Sequence, residues 1–141
     1  MLTIERLDIT DAYALIRGAR DKAIEIGVPM CIAITDESGN LIAFERMNGG
    51  KMTSIQLAID KSYTAVGVKK GTHLLGDVSQ PGQPAYGLSS TLGGRMVVVG
   101  GGAPVISNGE VVGGIGVSSG SPAQDREVAE AGVRAFSENL S

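Results

Sequence analysis

The chain has 141 residues, 12 basic against 15 acidic for a net charge of −3, 43% hydrophobic residues, 21 glycines and one cysteine. That length suits one domain with a real core, and the apolar content is too high and the net charge too low for disorder. No Lys/Arg block exceeds Lys69-Lys70, which argues against a nucleic-acid footprint, and no run of about 18 apolar residues is present to span a membrane.

Asp8 to Gly27 predicts a helix, because Ala12, Leu15, Ile16, Ala19, Ala23 and Ile26 recur at helical spacing. Asp8 or Thr10 is placed to cap it, and Gly27 followed by Pro29 to end it. Met30, Ile32 and Ile34 alternate with the smaller Cys31, Ala33 and Thr35, the pattern of a strand with two unequal faces. Asp36 to Asn40 is a turn, and Leu41 to Met47 returns as the second arm of a hairpin. After the Asn48-Gly49-Gly50 break, Ile55, Ala58, Ile59, Ser62 and Val66 mark the inner face of a second helix over about Thr53 to Val68. From Lys69 to Gly94 no period persists beyond a short helical turn within Thr72 to Val78, which reads as a functional loop, a lid or elements that periodicity misassigns.

Arg95 to Val99 reads as a strand stopped by Gly100-Gly101-Gly102. Ala103 to Ser107 and Glu110 to Ser118 flank Asn108-Gly109, the dipeptide favoured in two-residue hairpin turns. Ser121 as N-cap, Pro122 at the first position and Gln124 closing a capping box announce the last helix, with Val128, Ala131, Gly132 and Ala135 on its inner face. Antiparallel hairpins and three helices that need a sheet to cover define an α+β layered domain over residues 1–141, with about five strands.

Several chemistries fail at once. One cysteine and one histidine cannot build the usual structural zinc set. No G-x-x-x-x-G-K-[ST] loop occurs, and Gly114 to Gly120 imitates a dinucleotide turn with Ser119 where the third glycine belongs. The physical feature survives the failed motif: a glycine-rich turn entering a capped helix presents N–H groups, a positive dipole end and the hydroxyls of Ser118, Ser119 and Ser121 to a carboxylate or phosphate. Plain strand-to-helix geometry with Ser121 as the cap accounts for the same residues.

Fourteen of the 21 glycines lie between Gly71 and Gly120, and between Asp77 and Asp125 only Arg95 and Glu110 are charged. A stretch that uncharged lines a core, a pocket or a subunit interface, so a homo-oligomer is expected. Around it, Lys61 is placed to reach a pocket with its amine or to snorkel. Arg46 and Glu45 occupy adjacent strand positions and face opposite sides. His73, the only imidazole, has the chemistry to ligate a metal or shuttle protons, or is a solvated loop residue. Tyr86 is placed to stack on a planar ligand or to pack its own loop, and Cys31 reads as a small core residue.

Taken together, Gly27-Val28-Pro29, Ile34 to Leu41, Glu45 to Gly49, Ala58 to Ala65, Pro81-Gly82, Tyr86-Gly87, Gly101-Gly102-Ala103-Pro104, Gly113 to Ser118 and Ser121 to Asp125 resemble the GlcG/HbpS-like family, which includes the C-terminal domain of PduO-type proteins. The resemblance covers nearly the whole chain and implies a three-layer α/β/α domain around an antiparallel sheet, assembled as a tetramer or larger. It also implies haem binding in some members and a place beside small-molecule catabolic enzymes in others. In the PduO-like branch it implies a haem-ligating histidine on the first helix. Aligning the approach to Gly27 puts that position at Lys22, so this sequence lacks the histidine.

Two functions follow. One is a cytoplasmic small-ligand-binding protein for haem or a related planar carboxylated molecule near an oligomer interface. Gly101 and Gly102 would admit the flat ligand, Tyr86 would stack on it, and Arg46 or the helix start at Ser118, Ser119 and Ser121 would meet its carboxylates. His73 is the candidate iron ligand. The other is a cofactor-independent isomerase, lyase or hydrolase for a catabolic intermediate, with Lys61 or Asp125 as the acid–base group and Arg46 as the anchor for substrate charge.

Overall fold

The structure, a computed structural model, describes residues 1–140. Its elements run α1 (Ile9–Ile26), β1 (Cys31–Asp36), β2 (Leu41–Arg46), α2 (Thr53–Val68), a segment of four 3-10 turns, β3 (Gly102–Ser107), β4 (Glu110–Ser118) and α3 (Pro122–Leu140). The strands form one antiparallel sheet in the order β2-β1-β4-β3.

Local chemistry sets the ends of these elements. Asp8 and Asp11 close a reciprocal capping box at the start of α1, and Gly27, at φ 72°, ends it in the left-handed conformation. The carboxylate of Asp36 accepts the N–H groups of Ser38 and Asn40, which folds the first hairpin. Asn108 and Gly109 both hold positive φ, the two-residue turn expected for the second. Ser121 and Gln124 exchange hydrogen bonds of 3.2 and 3.0 Å across the first turn of α3.

Among the described residues the sheet has four strands, not five. Residues 95 to 99 have the apolar content of a strand but no ladder partner. The Thr64 hydroxyl on α2 instead shares its proton between the Asp60 carbonyl of its own helix at 2.7 Å and the Arg95 carbonyl at 3.0 Å, and accepts from the Val97 N–H at 3.0 Å. A side chain has taken the backbone groups that a neighbouring strand would have used.

Both faces of the sheet are covered, so every residue of β1 is buried. Met30, Ile32, Ile34, Ile115 and Val117 pack with Leu15, Ile16 and Ala19 of α1 and Val128 and Phe136 of α3. Cys31 and Ala33 face Ala58 on α2 from the opposite side. Ala129 and Phe136 are buried on the inner face of α3 beside Val128 and Gly132, with Ala131 and Ala135 half-buried. The two helices on one face cross closely, because a Cβ at Gly18 would lie 2.7 Å from the Ala135 Cβ. Cys31 is buried, and burial pushes its thiol above the usual range, so it behaves as a small apolar residue.

The N-terminal segment is tied across the end of the sheet by Leu7 N–H to the Val112 carbonyl and by a two-bond fork from Arg6 to Glu37. The Arg6 hydrogen bond holds the Glu37 carboxyl down at about 2, against an ordinary 4.5. A folded group held below its unfolded value contributes fully above about pH 4.5, and that contribution is lost as pH falls through about 2. With Arg6 56% exposed, the stability at stake is small. Carbon NMR is expected to titrate Glu37 with a midpoint near 2 and to return it to the ordinary carboxylate range in Arg6→Gln. An ordinary midpoint in the unmodified protein would dissolve the fork.

Candidate functional site

Lys61 and Asp125, 64 residues apart, meet in the interior. Each is 2% exposed. The Lys61 ammonium donates to Asp125 Oδ2 at 2.9 Å and to the Val117 carbonyl at 3.0 Å, while Asp125 Oδ1 accepts the Gly120 N–H at 2.9 Å. Gly101, at φ 127°, closes over them, since a Cβ there would sit 2.9 Å from the Lys61 Nζ. Gly102 lies against the Lys61 carbonyl and is fixed by its N–H to Thr72 Oγ1 at 2.9 Å. The two sequence candidates for acid–base work are therefore brought together, with both Asp125 oxygens and two of the three ammonium N–H groups engaged by each other and by backbone.

The same bonds explain what the serine-rich turn does. The Ser118 hydroxyl donates to Ser54 at 3.1 Å and the Ser119 hydroxyl accepts the Lys51 N–H at 3.0 Å, tying this turn to the start of α2. Ser121 caps α3. The positive end of α3 meets an internal anion, because Asp125 lies in its first turn and takes the Gly120 N–H.

A surface groove of about 360 Å³ lies along the free edge of the sheet, between β3 and α3. Gly102, Ala103 and Pro104 form the strand wall, where proline is tolerated because β3 is an edge. Ala129 and Val133 give the helix wall an apolar stripe, flanked by Arg126, Glu130 and Arg134. His73 enters from the 3-10 turn Thr72–Leu74. Its ring lies on Gly71, where a Cβ would come within 2.6 Å of both Nδ1 and Cε1 and would push the ring aside. Nε2 is the nitrogen left clear of that contact. The groove thus joins an imidazole, two guanidinium groups, one carboxylate and small apolar walls.

Of the sequence candidates, His73 and Gly102 line this groove and Gly101 stands directly behind it. Tyr86 is 69% exposed on the 3-10 segment, and Arg46 is exposed at the end of β2, near Cys31; neither reaches the groove. Lys22 lies on α1 with its Nζ 3.2 Å from Glu25 and 3.5 Å from Glu127. The Glu25 hydrogen bond raises its pKa and holds it as an ammonium. Arg126, Glu130 and Arg134 were not singled out from sequence. Their spacing of four and four, which puts all three on one helix face, was the available signal. A larger hollow of about 460 Å³ beside Tyr63, Val66 and Met96 contains none of the sequence candidates.

A four-stranded antiparallel sheet between a helix pair and a single helix, with glycines where helix and strand touch, defines an α+β class of small proteins. Residues 7–134 match the family described as haem degrading protein HbpS-like, and the chain belongs to that family. It is 40% identical over 135 residues to a 15.0 kDa protein from the dhaT-dhaS intergenic region of Citrobacter freundii, covering 96% of this chain and 95% of that one. Among solved structures it is similar to protein ORFY of Klebsiella pneumoniae, with a TM-score of 0.95 at 33% identity over 97% of this chain and 94% of that one. It is also similar to PduOC, solved as a complex with haem, with a TM-score of 0.89 at 38% identity over 92% and 94%. Among the described residues no helix is long and apolar enough to cross a membrane, and no three His, Cys, Asp or Glu side chains are grouped to hold a metal ion.

Proposed function

We propose that this protein binds haem or a related planar, carboxylated ligand in the groove between β3 and α3. The observation that carries the reading is the convergence of His73, Arg126 and Arg134 on an apolar, glycine-lined trough. A flat ring finds small walls at Gly102, Ala103 and Ala129, and its carboxylates find guanidinium donors. Haem bound there would supply an iron centre, and Nε2 of His73 is the group able to meet it. Lys22 is unsuited to that task, because an ammonium held by carboxylates has no free lone pair. The haem complex of PduOC supports the ligand class.

The working form is a cytoplasmic homo-oligomer of four or more copies, acting as an accessory to small-molecule catabolism. Val78, Tyr86, Leu92 and Val99 are exposed on a segment with one charge in 22 residues, a surface suited to a second copy of the chain. A lone buried cysteine fits a reducing compartment.

The alternative, a cofactor-independent isomerase, lyase or hydrolase, is favoured by the 2.9 Å approach of Lys61 to Asp125. The binding reading is preferred because that pair is closed off behind Gly101, with Arg46 away from it.

Haemin titration followed by absorption, with light scattering on the same samples, tests both parts. A Soret band shifted from that of free haemin at stoichiometric ligand is expected, lost in His73→Ala, in particles of at least four chains. A shift that survives His73→Ala would move the site elsewhere, and no shift or a monomeric mass would overturn the corresponding part.

A further inference from the structure

The two guanidinium groups of the groove are not equivalent. Arg126 Nε donates to Glu130 Oε1 at 2.7 Å, one turn along α3. Arg134 has neither an ion pair nor a side-chain hydrogen bond among the described residues. The three residues recur every four positions, so they share one helix face, with Arg126 and Arg134 about 12 Å apart along the axis.

The ends of the groove can also be told apart. A Cβ at Gly100 would lie 3.5 Å from both the His73 Cβ and the Arg126 Cβ, so these two side chains start from the same end. Arg134 stands two turns away at the other. Glu130 lies between the arginines, where its carboxylate engages Arg126 and repels any anion that approaches it.

Resting on the binding reading above, we infer that Arg134 is the anion anchor of the groove and that Glu130 is a built-in competitor that withholds Arg126. A planar ligand then lies along α3 with a carboxylate at Arg134 and the face of its ring toward His73. The groove accepts an anion at one end instead of clamping two. Exposed pairs four apart on a helix hold only weakly, by about twofold. Glu130 therefore tunes affinity, and the charge-assisted bond to Arg134 sets it.

Protoporphyrin IX, which has two carboxylates and no iron, is the probe, with its dimethyl ester as the uncharged comparison; binding is read by porphyrin fluorescence at low salt. Arg134→Gln is expected to weaken the acid by about tenfold. Arg126→Gln is expected to weaken it by only about two- to threefold, because the Glu130 carboxylate loses its partner. Arg17→Gln on the exposed face of α1, the same change of charge away from the groove, is expected to leave it unchanged. Glu130→Gln is expected to tighten binding by about two- to fivefold, a gain that is smaller in the double variant Arg126→Gln/Glu130→Gln, where only the loss of the Glu130 charge remains. The ester is expected to be indifferent to all five variants.

If Arg134→Gln binds the acid as the unmodified protein does, or the Glu130→Gln gain is undiminished without Arg126, the inference is overturned while the binding reading stands. If the unmodified protein binds neither porphyrin, the binding reading falls and takes this inference with it. All of these side chains are on the surface, so circular dichroism is expected to stay unchanged throughout.

Discussion

Lys61→Met is expected to destabilise the fold by about 3–5 kcal/mol, measured by urea unfolding at pH 7. Methionine fills most of the lysine volume, so the loss comes from charge and not from a cavity. The variant leaves the Asp125 carboxylate 2% exposed, with the Gly120 N–H and the start of α3 as its remaining support. Asp125→Asn is expected to be similarly costly for the opposite reason, since the Lys61 ammonium would keep the Val117 carbonyl and lose its counter-charge. The double variant Lys61→Met/Asp125→Leu is expected to recover most of the loss. Taking two charges out of water costs about as much as their attraction returns, so apolar replacement of both is tolerated better than removal of one. A single variant within about 1 kcal/mol of the unmodified protein, or a double variant that loses the sum of the two, would show that the pair is not coupled. Damage in the single variants should reach the groove, because the Lys61 carbonyl lies beneath Gly102 at the start of the groove wall.

What was legible in the sequence follows the range of the interaction that carries each feature. The ends of α1 and α3 and both hairpin turns depend on residues within a few positions of one another, and Asp8, Gly27, Asn108-Gly109 and Ser121 announced them. The strand read at Arg95 to Val99 failed because its apolar run says nothing about a partner, and Thr64, 31 residues away, took its backbone groups. The pairing of Lys61 with Asp125 is a contact over 64 residues that no spacing encodes. His73 and Gly102 were found as an isolated imidazole and a glycine cluster, but the arginines opposite them lie on a helix that sequence periodicity read for its buried face. The anion site anticipated at the start of α3 has the expected chemistry with a different occupant: its N–H groups meet Asp125 and Gln124 of the chain itself.

The glycine excess gives the second large effect. Gly116→Ala is expected to cost more than about 4 kcal/mol or to prevent folding, the range of severe overpacking. A Cβ at Gly116 would run into the Ala58 carbonyl oxygen and lie 2.6 Å from the Ser62 N, both backbone atoms of α2. No rotamer change relieves a collision with a helix backbone, so α2 must lift from β4. Lifting it withdraws Lys61 from Val117 on that strand and Ser62 from its 2.7 Å hydroxyl contact with Thr35. Gly67→Ala, the same substitution near the other end of α2, meets nothing within 4 Å at a helical position. It is expected to stabilise by about 0.5–1 kcal/mol through helix propensity and a less flexible unfolded chain. Opposite signs for one chemical change, at the helix–sheet contact and on the open side of the same helix, separate close approach from flexibility as the reason for glycine. Chemical denaturation of the two variants side by side decides it, since a flexibility requirement would make the exposed Gly67 the more sensitive of the two.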